Sequence, residues 1–212
     1  SFKEIAAKHW KSLLVCVGIV ISTNVTYYML LTYMPSYLSH NLHYSEDHGV
    51  LIIIAIMIGM LFVQPVIGLT SDRIGRKPFI IGGSIGLLAL AIPCFILINS
   101  NVIGLIFVGL LVLAVLLNSF TGVMASILPA MFPTHIRYSA LAISFNISVL
   151  IAGATPTAAA WLVEATGNLY MPAYYLMVVA VIGLITGLYM KETANKPLRG
   201  ATPAASDRSE AK

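Results

Sequence analysis

Between Lys77 and Arg137 the chain reads PFIIGGSIGLLALAIPCFILINSNVIGLIFVGLLVLAVLLNSFTGVMASILPAMFPTHI, from Pro78 to Ile136, with no Asp, Glu, Lys or Arg. A helix needs about 20 apolar residues to cross roughly 30 Å of hydrocarbon. The stretch is too long for one crossing and fits two, 79–98 and 102–128, joined by a tight turn at 99–101. Lipid offers no partner to backbone N–H and C=O groups, so crossings are helices or closed barrels. A barrel would show alternating strands of about ten residues, and this sequence shows continuous apolar runs instead.

Working outward, the same pattern gives 13–38 and 49–70 before this stretch, and 139–162 and 170–190 after it. Hydrophobic residues make up 58% of the chain and charged residues 9%, against roughly 25% charged in soluble domains. The predicted fold is all-α, a bundle of six transmembrane helices over 12–190. A cytoplasmic linker (1–11) precedes it, and a tail (191–212) follows that is rich in Ala, Ser, Pro and charge and is expected to be disordered. Six spans admit a three-plus-three inverted repeat.

The 12 Lys and Arg residues set the orientation. Lys3, Lys8 and Lys11 precede the first span. Arg73, Arg76 and Lys77 follow the second, Arg137 follows the fourth, and Lys191, Lys196, Arg199, Arg208 and Lys212 follow the sixth. The three alternate loops have none. Basic loops are retained in the cytoplasm, so both ends are predicted inside. The net charge of +4 thus belongs to membrane-flanking loops and the lipid bilayer, not to a nucleic-acid partner. Cys16 and Cys94 fall inside spans and are expected to pack rather than pair. No G-x-S-x-G, H-E-x-x-H, C-x-x-C or P-loop occurs. Nothing points to an enzyme, a cofactor or a metal, and His40, His43 and His48 are expected to be solvated loop residues. The chain opens on Ser1 in what resembles the end of a loop, and the expectation is a piece of a larger protein.

Polar residues inside spans face protein or a water-filled cavity. At 100° per residue, Asn24, Tyr27 and Tyr28 share an arc of roughly 100°, with Tyr33 and Tyr37 opposite. Aromatic faces attract a quaternary ammonium by about 0.5–2 kcal/mol. Alternatively these tyrosines are interface belts, the expectation for Tyr37, or helix glue. Asn118, Thr121, Gly122 and Ala125 form one stripe, and Ser139, Asn146, Gly153, Thr157 and Glu164 another. Each stripe either packs on a neighbour or lines a path. Gly82/Gly86 and Gly183/Gly187 have the spacing of close helix contacts. No span carries an acid or base at its middle, so proton carriers are not expected here.

The densest signal is Gly68-Leu-Thr-Ser-Asp72-Arg73-Ile-Gly75-Arg76-Lys77. Gly68 lets the second span approach a neighbour. Asp72 can face a helix N-terminus or nearby cations, a contact worth about 0.3–2 kcal/mol. Gly75 permits the turn, and the three cations suit carboxylates or lipid phosphates. Such a loop can hold one helix arrangement and release it. The run matches G-x-x-x-D-R-x-G-R-[KR] and resembles the cytoplasmic loop signature of the major facilitator superfamily. Phe132-Pro133-Thr134-His135-Ile136-Arg137 is similar to the F-P-T-x-x-R element of its sugar-porter-like and metabolite–proton symporter members. Where those often carry an acid this chain has Ala130, so a charge relay through Arg137 does not follow. The element also fits a plain cytoplasmic turn.

Thr23–Leu38, Met124–Arg137 and Met171–Met177 resemble later spans of bacterial proline/glycine-betaine symporters. The resemblance implies the C-terminal half of a twelve-span carrier in the bacterial inner membrane. It implies as partners an N-terminal six-helix half, a small zwitterionic osmolyte (proline, glycine betaine or an ectoine-like solute) and protons. On that reading the polar arcs described above offer Asn24, Tyr27, Tyr28, Asn118, Thr121 and Asn146 as substrate-facing, with helix packing as the alternative, and the signature implies Gly68, Asp72, Arg73, Gly75, Arg76 and Lys77, with Arg137, as the conformational loop system. The alternatives are a carrier for another organic acid or sugar, or a non-transporting six-span scaffold or homodimeric channel.

Overall fold

The computed structural model describes residues 2–190, and the tail expected over 191–212 lies outside the described residues. The expected linker is mostly helical, with α1 over Phe2–Lys8. Six long helices follow: α2 (Trp10–Asn41), α3 (Glu46–Ile74), α4 (Lys77–Ile98), α5 (Ile103–Ala130), α6 (Thr134–Thr166) and α7 (Met171–Tyr189). All six are long and apolar enough to span a membrane. They absorb most of the expected loops. Glu46 and Asp47 lie in the first turn of α3, where negative charge meets the positive end of the helix. Ser45 caps that turn, its hydroxyl accepting from the His48 N–H at 3.2 Å.

The C-terminal part of α2, toward the end of the bundle called outer here because it lies away from both described termini, departs from the α-helical period. Tyr28–Tyr33 and Tyr37–Asn41 form wide π-helical turns on either side of Met34–Ser36. Pro35 has no N–H for the preceding turn, and its ring crowds that turn; widened turns are one way to accommodate both. Tyr37 is not the interface residue expected. It is fully buried, donating its hydroxyl to the Leu169 carbonyl at 2.7 Å and accepting from Asn99 Nδ2 at 2.9 Å. One side chain thereby joins the outer ends of α2 and α4 to the α6–α7 turn.

The neighbours run α3–α5–α4–α7–α2–α6, with α2 also crossing α5 in the interior. Exchanging α2 with α5, α3 with α6 and α4 with α7 maps these contacts onto themselves. Consecutive helices alternate in direction, so α2 and α5 are antiparallel, as an inverted three-plus-three arrangement requires. The core has two main apolar clusters. The outer one includes Tyr37, Phe95, Leu113 and Leu176; the inner one includes Cys16, Phe120, Phe132 and Ile136. Between them lies a layer of small and polar residues, among them Ser22, Ser84, Asn118 and Gly183, all buried.

Small residues set the closest approaches in that layer. A Cβ on Gly183 would lie 2.6 Å from Ser84 Oγ and 3.2 Å from Ser22 Oγ, and one on Gly187 would lie 3.0 Å from Ile80 Cγ2. The α7 pair is therefore a packing face as expected. The α4 pair is corrected. Gly82 is exposed, with nothing near its Cβ position, whereas Gly83 meets Ser119 Cβ at 2.9 Å and Gly86 meets Leu116 Cδ2 at 2.6 Å. The contact face of α4 runs through i and i+3, which helical geometry allows as readily as i and i+4. Gly183→Ala is expected to destabilise the bundle by about 1–3 kcal/mol through overpacking, and Gly82→Ala to change it by less than about 1 kcal/mol. Thermal unfolding in detergent separates the two; equal melting temperatures would refute the packing assignment.

Candidate functional site

The inner loop between α3 and α4 is short because its backbone is closed by its own groups. Ser71 Oγ donates to the Gly68 carbonyl at 2.7 Å, and the Gly75 N–H donates to Ser71 O at 2.9 Å. Gly75 has φ of 105°, a value that L side chains rarely adopt. Gly68 sits against α5, its Cβ position 3.4 Å from the Gly122 carbonyl. Arg76 Nη2 meets Asp72 Oδ1 at 3.2 Å. Asp72 is 54% exposed and Arg76 only 14%, so the guanidinium is held against the bundle while the carboxylate stays near its surface. Lys77 Nζ donates to the Leu188 carbonyl at 3.1 Å, placing a cation at the negative end of α7. Arg73 is exposed. The loop therefore connects the inner ends of α3, α4 and α7.

Arg137 does different work. Pro133 has no N–H for the Pro129 carbonyl four residues earlier, and Arg137 Nε donates there at 2.6 Å while Nη2 donates to Phe132 O at 3.1 Å. The guanidinium closes the end of α5 that proline leaves open. Beside it, His135 Nε2 and Glu4 Oε1 are 2.7 Å apart, joining α1 to the start of α6. That hydrogen bond holds the Glu4 carboxyl below its usual range.

The six residues expected on a substrate face separate into two groups. Asn24 is half-buried on α2, Tyr27 is 41% exposed, and Asn146 is exposed on the neighbouring α6. Tyr28 meets Tyr27 edge to face at 5.9 Å and packs against Val25, Ala152 and Val179. The α6 stripe of Asn146, Gly153, Thr157 and Glu164 is exposed, with Ser139 half-buried. Asn118 departs from that picture. It is 1% exposed, its Nδ2 donating to Met60 O at 3.2 Å while its Oδ1 accepts from Thr121 Oγ1 at 3.1 Å. A buried amide needs both ends paired; here Met60 on α3 accepts from its nitrogen and Thr121, one turn along α5, donates to its oxygen.

Buried hydroxyls behave otherwise. Ser22, Thr23, Thr26, Ser84, Ser144 and Ser148 each donate to the carbonyl four residues earlier. They are satisfied within their own helices and mark no path. Gln64 escaped the sequence reading. Its side chain is exposed on α3 beside Pro65, in a groove of about 390 Å³ lined by Leu61, Gln64, Pro65, Gly68 and Gly122. The available signal was a lone amide in an otherwise apolar run.

The family model described as "Sugar (and other) transporter" matches residues 2–204. The whole chain is 83% identical to a proline/betaine transporter of Salmonella typhimurium and covers 42% of that protein. It is 80% identical to a glycine betaine/proline/ectoine/pipecolic acid transporter of Dickeya dadantii, again covering 42% of it. Across 96% of the chain it is 36% identical to an ectoine/proline transporter of Corynebacterium glutamicum, covering 40% of that relative. The chain thus spans about two fifths of the length of these relatives. With six spanning helices and the Gly68–Lys77 loop in one polypeptide, it is a multi-pass membrane protein that belongs to the sugar (and other) transporter family of the major facilitator superfamily.

Proposed function

We propose that the chain is the C-terminal half of a secondary carrier that imports zwitterionic osmolytes (proline, glycine betaine and ectoine-like solutes) together with protons by alternating access. The observation that carries this reading is 83% identity along the entire chain to a proline/betaine transporter. A second six-helix half supplies the facing wall of the substrate path and the titratable groups that couple protons, since among the described residues the six spans carry no acid or base at their middles. Asn24, Tyr27 and Asn146 face the substrate, with Tyr28 backing Tyr27. Tyrosine rings hold a quaternary ammonium by cation–π attraction, and the amides suit its carboxylate. Asn118 and Thr121 hold the α3–α5 wall in place. The loop from Gly68 through Asp72, Arg73, Gly75 and Arg76 to Lys77, with Arg137, switches the inner rim between closed and open arrangements. The protein lies in the bacterial inner membrane with both termini in the cytoplasm.

The direct test is uptake of labelled proline and glycine betaine by the complete carrier, which an uncoupler should abolish. Residues 1–212 alone in liposomes should not accumulate either solute; uncoupler-sensitive accumulation there would overturn the half-carrier reading. Asp72→Asn should lower uptake by the complete carrier about fivefold or more, the size of a coupling of 1–3 kcal/mol, with membrane insertion intact. Normal uptake would reduce the loop to a topology signal. For orientation, a thiol at Val102, 52% exposed, should react with an impermeant reagent from outside, and one at Ile74, 62% exposed, only from inside. The reverse pattern would defeat the topology.

A further inference from the structure

We infer that Tyr27 and Tyr28 form a right-angled aromatic corner that selects a fully methylated ammonium over one bearing N–H groups, with Asn24 and Asn146 taking the solute's carboxylate on the inner side of that corner. The inference rests on the carrier reading above and deepens it by assigning the two ends of the solute and making Tyr28 a determinant of specificity.

The two faces of α2 treat their polar groups differently. Ser22, Thr23 and Thr26 are buried and each donates to a carbonyl of its own helix. At 100° per residue Asn24, Tyr27 and Tyr28 lie on the other face, and all three keep exposed surface. Among the described residues their side-chain polar groups have no hydrogen-bond partner, nor has that of Asn146. Hydrocarbon would leave such groups unpaired, so the face that carries them turns to water or to a polar ligand.

The rings set the shape of that face. Their centroids lie 5.9 Å apart and their planes meet at 82°. One ring stands on the other as a wall on a floor, so the pair presents two ring faces at right angles. Tyr28 is anchored by Val25, Ala152 and Val179, and Tyr27 is 41% exposed. A rounded cation in the corner meets both faces, each of which attracts it through the ring quadrupole. A trimethylammonium fills the corner with methyl groups that share its charge. A secondary ammonium, as in proline, brings two N–H donors that lose water there without an equivalent acceptor.

Depth assigns the other end of the solute. Helices α2 and α6 are neighbours and run in the same direction. At 1.5 Å per residue Asn24 and Asn146 lie about 21 and 18 Å from the inner ends of these helices, so the two amides share a level. Tyr27 follows Asn24 by about 4.5 Å along α2. The carboxylate of a small zwitterion therefore meets the amides while its ammonium lies one turn outward, in the corner.

The experiment measures KM for labelled proline and labelled glycine betaine in the complete carrier. Tyr28→Leu removes one ring face and is expected to raise the ratio of the betaine KM to the proline KM about fivefold, the worth of one cation–π contact. Tyr27→Leu, at the more exposed ring, is expected to do the same, so the outcome does not hang on one variant folding. Tyr28→Phe keeps the face and is expected to keep the ratio. Asn24→Leu and Asn146→Leu are expected to raise both constants together by about tenfold, because both solutes carry the carboxylate. A ratio unmoved by the leucine variants in inserted protein overturns the corner, as does a ratio that moves equally with Tyr28→Phe, which marks the hydroxyl instead. A ratio that moves with Asn24→Leu overturns the assignment of the two ends. If the unaltered carrier moves neither solute, the carrier reading itself fails; if it moves both and the tyrosine variants leave the ratio fixed, only the corner fails.

Discussion

At membrane depth every polar group must find its partner within the protein or in enclosed water, and this constraint explains most of the local structure here. Hydroxyls meet it cheaply, because Ser22, Ser84 and Ser144 reach back to their own helices. Amides cannot do so as completely. Asn118 therefore fastens α5 to α3, and Asn99 turns to Tyr37. Proline raises the same demand in the backbone. Where Pro133 removes an amide, the Arg137 guanidinium replaces it at 2.6 Å. Where Pro35 removes another, α2 runs in widened turns.

Close helix approach follows from the same economy of partners. Lipid tails are as apolar as leucine, so burial alone does not drive helices together, and small residues at the crossings allow dispersion contacts to accumulate. The crossing of α2, α4 and α7 at Ser22, Ser84 and Gly183 and that of α3 with α5 at Gly68 and Gly122 are of this kind. The contact pattern that maps three helices onto the other three gives the bundle two equivalent edges, α3 and α6. Both leave broad apolar faces uncovered, including Leu61, Phe62 and Leu69 on one and Leu150 and Trp161 on the other.

The spans were legible in the sequence because hydropathy does not depend on tertiary contacts. The Gly68–Lys77 turn was legible because Ser71 and Gly75 close it through groups within the loop itself. Gly75, read in the sequence as permitting the turn, has φ of 105°. What escaped depended on which neighbour lies opposite. Gly82 and Gly83 are adjacent and alike in sequence, and only the position of Ser119 and Leu116 distinguishes them. Tyr37 looked like a residue at the water boundary until Asn99 and Leu169 came into reach. Asn118 shared a helical stripe with Thr121, but the stripe could not reveal that Met60 O lay across from it. Gln64 was hidden by a reading that weighted repeating polar stripes over isolated amides.

The two edges differ in how they are fastened, and this gives the bundle a mechanical grain. Along α3, the Gly68–Gly122 contact lies near the inner rim, where the loop continues through Arg76 and Lys77 to the end of α7. Both edges also bear on α2, α6 along its length and α3 at its outer end, where the Cβ position of Gly49 lies 3.5 Å from the Pro35 carbonyl. The α3 edge is thus tied at both ends, through the loop to α7 at one and through α2 at the other, so a displacement of α3 has to carry two other helices with it.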